Sequence, residues 1–227
     1  MHDIDIVQAS LSCRWILDRM ATALPGPGTA PFAELIRRLH PYGITPQDVS
    51  VETLGNRLSD VAISIALLQG QVNVRITCSG FELIVPRLFD DLTARLPEHA
   101  EIVLEALRHA DIDVEHFSIR IGYSCHAQLK ERQAGAWIAS HFHAEPASQT
   151  LVPDAFGYQI QPPDRPDVLE MRLVAAKSKF FSEALFLELS FLYADGASPS
   201  EMALRAQKDY DYALACFGLR RFPGGPS

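Results

Sequence analysis

Two spacing rules alternate along this chain. Between Val61 and Cys78 the apolar positions recur every second residue: Val61, Ile63, Ile65 and Leu67, then Val72, Val74, Ile76 and Cys78. Asn73, Arg75 and Thr77 fall between them. Successive side chains of an extended strand point to opposite faces, so the pattern predicts two strands with one buried face each. The "QGQ" between them predicts a short glycine-containing turn, and hence an antiparallel hairpin. Phe81, Leu83 and Val85 continue the alternation past Ser79-Gly80, read as a bulge or a second tight turn. Phe117 to Cys125 alternates in the same way and turns Ser118, Arg120, Gly122, Ser124 and His126 to the other face. Leu169 to Leu173 and Leu185 to Tyr193 predict two more strands, and Phe156, Tyr158 and Ile160 a short edge strand.

Elsewhere the spacing is three to four. Leu11 to Ala23 is predicted as a first helix, ended by "LPGPG". Further helices are predicted over 31–39, 90–110 with an interruption near Pro97, 130–142 and 200–217. "RRFPGGPS" reads as a loose tail. The expected fold class is α+β, a mainly antiparallel sheet covered by amphipathic helices. The expected organisation is one compact domain over 1–227. A coarse echo of element order, strands then a helix, suggests a weak internal duplication with halves 31–110 and 111–217.

Composition narrows the function classes. The 227 residues are 48% hydrophobic and 21% charged, within the globular range. The formal net charge is -8, and from Phe89 to His116 eight acidic residues face two arginines. A phosphate backbone calls for a positive surface, so the balance points away from nucleic acid. No apolar run has the length of a membrane span, and the first ten residues carry acids where a secretory signal carries bases. Cys13, Cys78, Cys125 and Cys216 are scattered and form no CxxC. They read as free thiols in a reducing compartment, which gives a cytoplasmic expectation.

Candidate chemistry is sparse. "ASHFHAEP", residues 139–146, places His141 and His143 two apart. On a helix this spacing separates them by about 200°, and His141 instead neighbours Trp137. On extended chain His141, His143 and Glu145 face one way and offer a transition metal three ligands, with His126 as a remote fourth. The spacing matches neither the histidine pair of an HExxH helix nor a cysteine-rich zinc pattern, so packed or solvated histidines are the preferred reading. Cys125 beside His126 is not a nucleophile and its base, because neighbours on a strand point apart. The row Glu101, Glu105, His109 reads as a charged helix face, and no phosphate-cradling glycine loop is present.

A non-catalytic role is therefore expected: an interaction or assembly protein presenting sheet and acidic-helix surfaces to a protein partner or to itself, without a cofactor. The alternatives are a small-molecule binding domain, with Arg120, His126 and Glu188 orienting the ligand, and a metal-dependent hydrolase using the His141/His143 region.

Overall fold

The computed structural model describes residues 1–17, 30–53, 55–57, 60–87, 90–109, 117–131, 133–141, 154–160, 165–194 and 198–221. Ten strands form one sheet: β1 (His2–Leu17), β2 (Val49–Thr53), β3 (Val61–Leu67), β4 (Val72–Thr77), β5 (Gly80–Val85), β6 (Phe117–Leu129), β7 (Ala155–Ile160), β8 (Val168–Lys177), β9 (Ala184–Tyr193) and β10 (Leu219–Arg221). Their order is β2-β3-β4-β5-β1-β6-β9-β8-β7. Every neighbouring pair along that path is antiparallel, and β10 adds a short parallel pairing to the start of β1. Four helices complete the described fold: α1 (Ala30–Leu39), α2 (Asp90–His109), α3 (Ala134–Ala139) and α4 (Pro199–Cys216). The sheet dominates, more than the expected balance of helix and strand implied.

The largest difference is at the beginning. The predicted helix from Leu11 is a strand as far as Leu17, and residues 18–23 lie outside the described part. Leu11, Cys13, Trp15 and Leu17 are all buried, at period two. Before them Ile4 is buried at an even position, because the register shifts between Ile6 and Gln8. A bulge adds one residue and flips the phase of alternation, so β1 carries two half-patterns that do not join. Lying between β5 and β6, β1 gains ladder partners on both edges, and tertiary pairing overrides a weak helical spacing.

Three smaller corrections follow. The α2 helix continues through Pro97 instead of breaking there. The missing amide costs one backbone bond, while Ala100, Val103, Leu104 and Leu107 are buried on the following turns. The helix predicted over 130–142 is six residues long. The beginning of the expected loose tail is ordered as β10; residues 222–227 lie outside the described part.

The helices pack on one face of the sheet. Tyr210 of α4 meets Cys125 of β6 there, at 3.6 Å from hydroxyl to sulfur. Trp137 of α3 lies 5.4 Å, centroid to centroid, from Phe156 of β7. In register, Phe156, Ala175, Leu187 and Cys125 are cross-strand neighbours and so share that face. The other face carries no described helix. The element order also runs twice: β1, β3, β4, β5 and α2, then β6, β7, β8, β9 and α4, with strand orders β3-β4-β5-β1 and β7-β8-β9-β6. The two sets join at the antiparallel β1–β6 pair.

Candidate functional site

On the helix-free face the middle of the sheet is built from small residues. Ser10 and Ser12 of β1, Gly122 and Ser124 of β6 and Ser190 of β9 occupy adjacent rows. Arg14, Arg120, Arg172, Glu82 and Glu188 stand around them. Short side chains ringed by long ones leave a hollow of about 430 Å³. Gly122 matters because a methyl group there would meet the Ser12 hydroxyl at 3.0 Å and begin to fill the floor. Ile84 of β5 adds an apolar edge.

The charges follow from register. Arg14 is directly opposite Arg120 across the β1–β6 pair, and Glu82 is opposite both Arg14 and Arg75. Arg120 reaches Glu170 only loosely, at 3.7 Å with its side chain 40% exposed. The side chains of Arg14, Arg172, Glu82 and Glu188 make no hydrogen bond or ion pair with any described residue. Half-turn symmetry is visible in the lining: Ser10, Ser12 and Arg14 on β1 exchange with Arg120, Gly122 and Ser124 on β6, and Glu82 and Ile84 on β5 with Glu188 and Ser190 on β9.

Of the three residues expected to orient a ligand, Arg120 and Glu188 both line this hollow. His126 shares the face but stands one row further on, next to Gln8 and Phe186. Its ring sits among Phe180, Phe181 and Phe186 at centroid distances of 5.5, 5.1 and 5.3 Å. The Ser178 hydroxyl accepts from the Phe180 and Phe181 amides, so its proton is directed to His126 Nδ1 at 2.9 Å. That leaves the neutral ring protonated on Nε2.

Burial holds the His126 pKa below the ordinary 6.5, since desolvation penalises the charged ring. The sign for stability is then fixed. As pH falls from about 6.5 the unfolded chain takes up this proton first, and stability drops until the folded-state pKa is passed. Denaturant midpoints measured across this range should show a decline in the wild type that is smaller in His126→Gln. An unchanged pH profile in the variant would mean the ring has no such linkage.

The proposed metal cluster does not assemble from its described members. His141 stacks on Phe156 at 4.9 Å, on the helix side of the sheet, whereas His126 faces the other side. A sheet stands between them. His143 and Glu145 lie outside the described residues. His141 donates from Nδ1 to the Trp137 carbonyl at 3.0 Å and packs on the indole at 4.3 Å, as expected of a histidine ending a helix. Among the described residues no three His, Cys, Asp or Glu side chains are grouped to hold an ion.

The remaining candidates resolve as structure. Cys125 points to α4, away from His126, and burial pushes its thiol up to about 11. Cys13 is pushed up to about 12, burial being the main cause. Glu101 pairs with Arg108 at 3.0 Å, Glu105 with Arg38 at 3.2 Å, and His109 Nδ1 meets the Glu105 carbonyl. A cavity of about 40 Å³ also lies between α2 and α4, lined by Leu11, Trp15, Ile121 and Met202. It has room for little more than a water or two. Arg14, Arg172 and Glu82 are the charged site residues that the sequence did not single out. The one signal was their type and parity: Arg14 alternates with Cys13 and Trp15, but only once β1 is seen as a strand. No helix among the described residues is long and apolar enough to cross a membrane. No protein-family model and no curated protein sequence matches the chain.

Proposed function

We propose that this chain is a non-catalytic recognition protein whose binding surface is the helix-free face of the sheet. One observation carries the reading: in the hollow between β5 and β8 the side chains of Arg14, Arg172, Glu82 and Glu188 stand without a hydrogen-bond or ion-pair partner among the described residues, around a floor of hydroxyls. Groups of opposite charge on one surface normally pair, and leaving them open keeps them available to a partner. The acidic face of α2 is the weaker surface, because Arg38 and Arg108 already answer two of its glutamates. Arg120 and Glu188 are the contacts first expected to matter, and His126 with the 82% exposed Phe180 extends the surface along β6. Free, buried Cys13, Cys78 and Cys125 go with a cytoplasmic setting.

A second reading has its own support. The volume of the hollow falls in the range of small-ligand sites. Its open, one-sided shape favours a protein surface, which brings its own opposite wall. We also propose an internal duplication, with halves beginning at β1 and β6; the doubled strand order supports it.

A photo-reactive residue placed at Ser190, with Leu204 on the exposed side of α4 as the control, tests the recognition surface in the cells that make the protein. Defined adducts from position 190, including adducts to a second copy, are expected, and Gly122→Trp should abolish them by filling the hollow. That variant should leave the unfolding midpoint nearly unchanged, since it points away from the core. Adducts from position 204 alone, or adducts at 190 indifferent to Gly122→Trp, would reject the sheet face.

A further inference from the structure

We infer that the hollow is a carboxylate site: Arg14 and Arg120 receive the acidic side chain of an extended segment of a partner protein. The inference rests on the recognition reading above and names what is recognised. Like charges directly opposite on a sheet are destabilising, and Arg14 and Arg120 hold that relation across the β1–β6 pair, with Glu82 opposite Arg14 on its other side and Glu170 3.7 Å from Arg120. An anion between them removes the repulsion and gains charge-assisted hydrogen bonds from two planar donors.

The charge balance selects the kind of anion. Among the described residues three arginines and two glutamates line the hollow, and Glu170 stands at its edge, 3.7 Å from Arg120. A carboxylate brings a single negative charge to Arg14 and Arg120. A phosphate dianion would bring about twice that charge against Glu82, Glu170 and Glu188. Glu82 and Glu188, with Ser10, Ser12, Ser124 and Ser190, accept from backbone amides or hydroxyls on either side of the acidic residue. All the lining comes from a single sheet. A free small carboxylate would therefore stay largely in water, while a peptide supplies the missing cover.

The test is side-chain nitrogen NMR of the full chain, following the arginine Nε–H signals of Arg14 and Arg120. The probes are a neutral decapeptide with one central glutamate, the same peptide with glutamine, free glutarate and inorganic phosphate. The glutamate peptide should shift both signals and saturate at concentrations at least about tenfold below glutarate or phosphate. The Arg14→Gln and Arg120→Gln variants should each lose roughly tenfold or more in affinity for it. A second readout needs no ligand. Each variant should also raise the unfolding midpoint of the free protein, because it relieves the opposed charges. Glutarate or phosphate matching the glutamate peptide would overturn the peptide carboxylate as occupant. No response to any probe would overturn the anion site altogether, while leaving the sheet-face reading to its own cross-linking test. A fall in the unfolding midpoint of both variants would show that the arginines support the fold instead.

Discussion

Replacing Asp209 by alanine should destabilise the fold by about 3 kcal/mol, the first of the two largest effects expected anywhere in the chain. Asp209 lies on the inner side of α4 and is 2% exposed. It accepts from the Tyr193 hydroxyl at 2.7 Å and from Arg165 at 2.8 and 3.2 Å. Arg165 also grips Asp167 through two bonds of 2.9 Å, so one guanidinium ties the entry of β8 to α4. Hydrogen bonding to Arg165 holds the Asp167 carboxyl below the usual range, and the Asp167 and Asp209 carboxylates hold Arg165 above its own. Removing Asp209 leaves the Tyr193 hydroxyl buried without its acceptor, and that desolvation accounts for much of the loss. Arg165 is 38% exposed and can rehydrate, which keeps the cost below that of a fully enclosed pair. Asp209→Asn keeps an acceptor for Tyr193 and should cost roughly half as much. Urea unfolding of the two variants decides the matter: equal, small losses would show that the cluster adds little.

Gly80→Ala is the second large effect, again about 3 kcal/mol. Gly80 begins β5 with φ of +147°, a conformation that side chains disfavour. A methyl group there would run into the carbonyl oxygen of Trp15 and lie 3.3 Å from the Ile16 backbone. Neither obstacle is a mobile side-chain end. Both belong to the strand with which Gly80 is paired, opposite Ile16. The clash would push β5 from β1 and disturb the stacking of Trp15 on Phe81, whose centroids are 4.5 Å apart. A denaturation midpoint within experimental error of the wild type would mean that the strand pair yields without cost. Gly122→Ala is the natural contrast. Its new methyl group meets a serine hydroxyl able to rotate, so little stability should be lost.

The two glycines also show where sequence reasoning reached and where it stopped. "SG" before an alternating run announced a turn or a bulge, and Thr77–Gly80 is a tight turn. Nothing in "RIGYSC" announced that Gly122 forms the floor of a hollow. That role comes from Ser12 and Ser190 on either side of it, strands 110 and 68 residues away in the chain. Arg120 is legible as part of the polar side of the 117–125 alternation, and Glu188 as a carboxylate sharing its strand face with Phe186 and Leu192, a property local alternation does encode. Their approach to Arg14 and Arg172 depends on which strands become neighbours.

Local spacing by itself determined the β3–β4 hairpin, the strands β6, β8 and β9, the helices α1 and α4, and the separation of Cys125 from His126. Each rests on side-chain direction over a few residues, which backbone geometry fixes wherever the segment ends up. Tertiary structure decided the rest: that residues 2–17 are a central strand, that His126 and His141 are on opposite sides of a sheet, and that two arginines face each other over a bed of serines. Those outcomes depend on long-range pairing and on a bulge that shifts the phase of alternation. Their energies belong to contacts between distant segments, and no window of adjacent residues contains them.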